Sequence, residues 1–545
     1  MKKIFLSALF ASALLTGCSD AYDIDQAGVV TEESDVFRTP ADVGKGIRYV
    51  YALFPGETEI DFDSFFTDEL GVGTGNAGQG INDGSYTFLL QAGNDNAQGI
   101  WGSYYGVVNR LNRILNRIDE MMVGLNPSVA ADKASIDELN NHKAHIYALR
   151  AYSHYKLFAF FTPDYTNPNG LSVIKFDFLQ TDDYKRFEKR STVSEIVEFI
   201  EDDISKAKKL VPVKADGSPG DLVPGGGMTG TGYASNEMLE SILIKMYSMV
   251  QSAAAYEKLE TSFNLLDASK SIADVGTYLA MFGESAETAD FTEGIFKLNR
   301  VPTQGGVQSG VAASWYPARV GDQPYMEMGR SLYNELDKLE PAKQGTPYSA
   351  TRLEARYLVS VFSNSKVATN YASLTPDKYK TDDVLNIGKY TGITNRPLMN
   401  SLWMFRYTDM LLALAEKRAF EGQYTGTVAL NDFSNVESII FNIRVNRNIA
   451  GDGTALVMPT NFSSAQAAYA RILEERRVEF AFEGQRFLDM KRLGVRAGSP
   501  GFVRDAQDCA STGACNLPAN STKLTLPIPR SEMVSNPNMV QNPGF

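Results

Sequence analysis

Histidine, cysteine and tryptophan occur only three times each in 545 residues. His142, His145 and His154 stand close together but lack the H-E-x-x-H spacing of a zinc site, and they read as core or surface histidines. So few histidines and cysteines leave little material for a metal centre of the usual kind, and no metal or cofactor is expected. Cys509 and Cys515 share the segment DCASTGAC. No C-x-x-C motif is present, which argues against a catalytic dithiol; outside the cytoplasm such a pair reads as a disulfide. A G-x-S-x-G elbow is also missing, and GGGMTGTG at 225–232 lacks the Lys-Ser/Thr of a phosphate loop. No stretch reaches the ~20 apolar residues of a spanning helix. Basic charge is in deficit, with 52 Lys and Arg against 65 Asp and Glu and a net charge of −13. That balance argues against nucleic acid and against polybasic attachment to anionic lipid.

What is present begins with a processing signal over residues 1–17. Lys2 and Lys3 form a positive start, Ile4 to Leu15 is apolar, and Leu15-Thr16-Gly17-Cys18 has the lipobox pattern. Lipidation is expected on Cys18, giving a mature chain from residue 18 that is anchored by acyl chains and otherwise soluble. Loss of Lys2 and Lys3 takes the formal charge from −13 to −15.

The body is patterned for helices. Ile146, Leu149, Ser153, Leu157 and Phe160 fall on one stripe of 142–161, and Ala144, Ala148, Ala151, Tyr155 and Ala159 on another. A helix with a bulky face and a small face packs on two sides, as in tetratricopeptide-like arrays. Segments 101–122, 234–259, 404–422, 434–450 and 465–494 read as helices too, with Gly422 closing its own. Long Gly-, Asn- and Pro-rich segments at 71–86, 216–232 and 301–325 interrupt them, and loops of this length are commonly functional or disordered. Alternating strands are few. On 465–494, Glu475, Glu479, Phe482 and Arg486 fall at helical steps. They read either as an acid/base pair beside an arginine or, preferably, as a partly buried ion network fixing the last helix.

Five segments in order resemble the SusD/RagB family. ILEERRVEFAFEGQRFLDMKRLG is similar to its ER-x-x-E…EGQR-x-x-D-x-x-R helix, and LPIPRSEMVSNPNMVQNPGF to its terminal PIP…QNPGY, with Phe545 for Tyr. TDEL at 67–70 with Trp101, Tyr105, Asn109 and Asn112 resembles its DE…W…Y…N segment; KAHIYALRAYSHYKLFAFF and RYTDMLLALAEKRAFEG resemble two further helices. The family's D-x-R is represented only by Glu354-Ala355-Arg356. The resemblance implies a mainly α fold of tetratricopeptide-like helix pairs, a SusD-like α–α superhelix with a loop-rich ligand-binding face. It implies one SusD-like domain over 18–545, with an N-terminal part over about 18–330 and a C-terminal part over about 331–545. It also implies a non-enzymatic lipoprotein on the exterior of the outer membrane, working with a SusC-like TonB-dependent transporter. Ser19, Asp20, Asp23 and Asp25 are loosely similar to the acidic export signal of such lipoproteins.

The ligand is expected to be an oligosaccharide or, as in RagB-type proteins, a peptide. A surface hydrolase and a scaffold lipoprotein stand as the alternatives. By analogy with the family, the early loop, with Glu69, Asn82, Asp83 and Tyr86, and the middle loop, with Trp315, Tyr316, Arg319 and Tyr325, are paired as the binding face. Trp315 is the candidate stacking platform, while Trp101 and Trp403 are expected in the core.

Overall fold

Side-chain caps set many of the helix starts. In helix α1 (Pro40–Tyr51) a Thr39/Asp42 capping box precedes proline in the first turn. Helix α2 (Gly56–Phe66) leads into a short strand, β1 (Leu70–Val72). Asn94 caps the long helix α3 (Asp95–Met122), which lies along α4 (Ala130–Phe161); α4 packs in turn on α5 (Val193–Leu210). Helices α6 (Asn236–Val250) and α7 (Ala253–Asp267) form the next pair. There follow α8 (Val275–Met281), β2 (Gly294–Leu298), β3 (Met326–Met328), α9 (Arg330–Lys338), α10 (Ala355–Ser360), α11 (Pro376–Asp382) and β4 (Leu402–Arg406). Helix α12 (Tyr407–Phe420) packs on α6 and α7 and on its successors α13 (Val436–Arg447) and α14 (Ala465–Glu479). The chain closes with α15 (Arg486–Leu493), β5 (Phe502–Val503), β6 (Asn516–Leu517) and α16 (Arg530–Ser535). This computed structural model describes residues 36–545 apart from 77, 79–80, 82–83, 180–185, 212–221, 223–229, 284–289, 301–323, 347, 349–350, 392–399 and 451–455.

The architecture is mainly α with tetratricopeptide-like helix pairs, as the patterning predicts. Both stripes of α4 are buried, and its three histidines lie in the core with them. Among the described residues the strands form three two-stranded antiparallel ribbons, β1–β3, β2–β4 and β5–β6. Trp101 and Trp403 are core residues.

Two segments expected as single helices are each two. In 234–259, Gln251 takes a left-handed conformation (φ 58°) and ends α6, while the Ser252 side chain caps α7. In 465–494 the break falls at 480–485, where Phe482 and Gly484 have φ of 61° and 72°. Carboxylates from the α2 region hold it open: the Phe482 amide donates to Glu69 Oε1 (3.0 Å) and the Phe487 amide to Asp63 Oδ1 (2.7 Å). Glu475, Glu479, Phe482 and Arg486 therefore do not share one helical face.

Glu475 and Glu479 instead sit in a buried network of ten charges. Arg356, Lys389, Arg406, Arg444 and Arg447 meet Glu293, Glu354, Glu475, Glu479 and Glu483, five of each sign. Glu479 is the hub. Arg447 lies at 2.8 Å, Arg406 at 3.0 Å and Arg356 at 3.8 Å. Burial alone raises a carboxyl, but these arginines hold Glu479 well below the usual carboxylate range. A second, smaller network is also balanced, with Lys245, Arg476 and Arg492 against Asp409, Asp489 and Glu416.

Cys509 and Cys515 are joined in a disulfide, with Cα atoms 5.2 Å apart. Its neighbour Asp508 ties three distant segments together. It accepts from Tyr379 Oη of α11 (2.7 Å) and from the Arg330 amide of α9 (2.7 Å), and its main-chain oxygen accepts from Tyr86 Oη (3.0 Å). Burial pushes the Asp508 carboxyl up to about 7, with Glu327 buried nearby.

Two outcomes follow from these buried groups. Glu479→Gln leaves arginines uncompensated in the interior and should lower stability by about 3–5 kcal/mol, measured by denaturant unfolding; a loss under about 1 kcal/mol contradicts the hub assignment. For Asp508, the folded carboxyl holds its proton where the unfolded one has lost it. The native state therefore loses stability as pH rises from the ordinary carboxylate value of 3.8 towards about 7. Asp508→Asn carries no such loss. The melting-temperature difference between variant and wild type should move in the variant's favour across that window and level off above it. A constant difference sinks the assignment.

Candidate functional site

The early and middle loops leave the same end of one ribbon. β1 and β3 pair antiparallel, Leu70 opposite Met328 and Val72 opposite Met326. The chain after Val72 and the chain before Met326 are thus side by side by construction. Further bonds extend the pairing: the Gly75 amide donates to Pro324 O (3.0 Å) and Asn76 Nδ2 to Tyr325 O (3.1 Å). The approach is close enough to require glycine at position 73, where a Cβ would meet Pro324 O at 2.2 Å.

Tyr325 stands at the base of the middle loop, part-buried beside Asn76. Glu69 and Tyr86 have internal partners. Glu69 is 1% exposed and accepts from Ser64 Oγ and the Phe482 amide; Tyr86 is fully buried and donates to Asp508 O. Burial raises the Glu69 carboxyl to about 7. Neither side chain presents a polar atom to a ligand, and both act as supports of the face. Cys18, Asn82, Asp83, Trp315, Tyr316 and Arg319 lie outside the described residues.

One arginine pins the early loop from beneath. The Arg504 guanidinium lies 3.9 Å from the centre of the Tyr86 ring and 4.2 Å from that of Phe88. It donates to the main-chain oxygens of Phe65, Thr67, Tyr86 and Ala514. Phe88 takes φ 60°, which turns Leu89 outward to 63% exposure. Above this support is an open cavity of about 440 Å³ lined by Ile81, Thr87, Leu89, Gln91 and Asn94. Thr87, Gln91 and Asn94 were not singled out from the sequence. They carry no motif, and only the fold of 84–94 brings them to one wall.

The arrangement suits recognition: an apolar side chain, a threonine hydroxyl and the Gln91 side-chain amide border an open concavity, with Asn94 at its edge held as the cap of α3. Glu475 and Glu479, the carboxylates weighed as an acid/base pair, are fully enclosed by arginines. Among the described residues no group of histidine, cysteine and acidic side chains has the arrangement to hold a metal ion. None of the described helices is long and apolar enough to cross a membrane.

Comparison with known proteins places this geometry. A family model described as "SusD family" matches residues 343–545, and one described as "Starch-binding associating with outer membrane" matches 39–219. "SusD-like protein P2" of Formosa agariphila is 22% identical over 570 aligned residues, covering the whole of both chains. A SusD superfamily protein from Bacteroides thetaiotaomicron superposes with a TM-score of 0.67 at 20% identity, over 93% of this chain and 100% of that one. A SusD-like carbohydrate binding protein from Bacteroides vulgatus gives 0.64 at 14% identity, over 92% of this chain and 97% of that one. The two family models together match well over half of the chain, and it belongs to the SusD/RagB family.

Proposed function

We propose that this protein is a lipid-anchored nutrient binder on the outside of the outer membrane, taking an oligosaccharide on the loop face and handing it to a SusC-like TonB-dependent transporter. The observation that carries this reading is the β1–β3 ribbon, which brings the early and middle loops to one place over the Arg504 support. The lipobox at Cys18 supports the anchor, and the family description "Starch-binding associating with outer membrane" supports both ligand class and location. The carbohydrate binding relative from Bacteroides vulgatus supports the choice of a glycan over a peptide.

In this reading Trp315 is the stacking platform, and Tyr316, Arg319, Tyr325, Asn82 and Asp83 supply the polar contacts to the sugar. The protein binds without turnover, so a glycan recovered from the complex should be intact.

Trp315→Ala should weaken glycan binding about thirtyfold, the effect of losing a hot-spot aromatic worth about 2 kcal/mol. Calorimetric titration of the mature chain and a melting curve together check it. Unchanged affinity in a folded variant, or a fall of many degrees in melting temperature with binding retained, moves the site away from Trp315. The partner is tested separately. Native protein extracted in gentle detergent should co-purify with a large outer-membrane β-barrel, through an interface of at least about 1,200 Å². Recovery as a lone chain under several mild conditions contradicts the transport role.

A further inference from the structure

The opposite end of the β1–β3 ribbon opens onto a different part of the surface. Beyond Leu70 and Met328 the chains continue as Asp68–Glu69 and Gly329–Arg330, joined by the Gly329 amide donating to Glu69 O (2.7 Å). Two adjoining cavities lie here. The larger, about 910 Å³, is walled by α9, the 341–345 turn, Thr369, Tyr371 and residues 503–506. The smaller, about 310 Å³, lies between α14 and the 497–501 turn. Glu335, Arg477 and Val503 belong to both, so the two form one trough with Arg477 at its middle.

The charges around this trough do not balance as they do in the two core networks. Both networks in the core pair each cation with a carboxylate. Here Arg477 and Arg486 share Asp68: Arg486 holds it through Nε (2.8 Å) and Nη2 (3.0 Å), and Arg477 Nη2 lies 3.2 Å away. Glu69 next to it is held up at about 7 by burial and supplies only part of a countercharge. On the rim Glu335 is paired with Lys338 (2.7 Å), Arg330 with Asp383 (2.8 Å) and Asp337 with Arg352 (2.7 Å). Glu474, on the wall one turn before Arg477, is paired with Arg471 (2.9 Å), so among the described residues Arg477 and Arg486 are left to share Asp68. Arg477 is 14% exposed, and its Nε is buried without a hydrogen-bond partner among the described residues. Beside it stand Ser331 and Asn334, and a tyrosine ring, Tyr371, over which Arg330 lies at 3.8 Å.

We infer that this trough is a second saccharide site, one that takes a chain carrying carboxylates, such as a uronic-acid oligosaccharide. A guanidinium lacking a full countercharge, at the centre of a polar concavity, binds a carboxylate through charge-assisted hydrogen bonds. The exposed Gln344 amide on the wall is a partner for ring hydroxyls, while Ser331 Oγ accepts from Arg477 Nη2 (2.9 Å) and Asn334 bonds Arg330 and Tyr371, which fixes the wall around the guanidinium. That the ligand is a sugar rests on the glycan reading above; the preference for an anion rests on the trough alone.

The test is titration of the mature chain with oligogalacturonate, a neutral oligosaccharide of equal length and oligoglutamate, using wild type, Arg477→Gln, Thr369→Trp and Trp315→Ala. Oligogalacturonate should bind wild type and Trp315→Ala alike, and at least about tenfold more weakly when the charge is removed or the trough is filled. Thr369 is an exposed residue on the trough wall, so Thr369→Trp carries the test if Arg477→Gln loses its fold. Absence of oligogalacturonate binding to wild type, indifference to both trough variants, or equal binding of oligoglutamate each overturns the proposal. Loss of oligogalacturonate binding in Trp315→Ala with both trough variants unaffected puts the acidic ligand on the loop face. That outcome removes the second site and leaves the proposed function standing.

Discussion

The arrangement around Glu479 is the constraint that the C-terminal half is built on. Taking ten charged side chains out of water costs several kcal/mol per ion, and only close mutual pairing offsets it. The pairing is possible because α10, α13 and α14 meet the ends of β2 and β4 at one point. Glu293 comes from just before β2, Arg406 ends β4, and Arg444 and Arg447 lie on the last turn of α13. An apolar core tolerates small shifts of one helix along another, whereas a guanidinium displaced by a few ångströms here loses its partner. The network therefore fixes the relative placement of these helices, whatever its net contribution to stability.

The helical content was legible because apolar residues recur at helical steps over long runs, and because Thr39, Asn94, Thr192 and Ser235 have the side chains that cap helices. The breaks were not. Gln251 and Phe482 both adopt left-handed conformations without being glycine, and each is tied to a distant segment: the Gln251 side chain donates to Arg492 O, and the turn at Phe482 is held by carboxylates from α2 and the turn after it. Glu354-Ala355-Arg356, a doubtful match by pattern, turned out to join the buried network, with Arg356 bonded to both Glu354 and Glu475. Its role depends on a residue more than a hundred positions away.

The candidate site was legible in part for the same reason. Two loops rich in glycine and polar residues stand out in any sequence, and the family resemblance suggested pairing them. Which of their residues face outward depends on the fold. Glu69 and Tyr86 sit at the foot of the early loop and are occupied by Ser64, Phe482 and Asp508. Thr87, Gln91 and Asn94 reach a cavity because the chain turns at Phe88. The trough around Arg477 has no local signal at all, since its walls come from α9, α14 and the segment after α15.

The short ribbon beneath the loops separates two jobs that a protein under changing demand must keep apart. Its three residue pairs, the glycine at 73 and the Arg504 peg define where the loops begin and end, and none of these contacts involves residues 77–83 or 301–323. Length and composition there are free to drift, or to be exchanged between relatives, with the helical body left as it is. A lineage moving from one nutrient to another need rewrite only these insertions, so the same frame serves as a socket for interchangeable recognition elements.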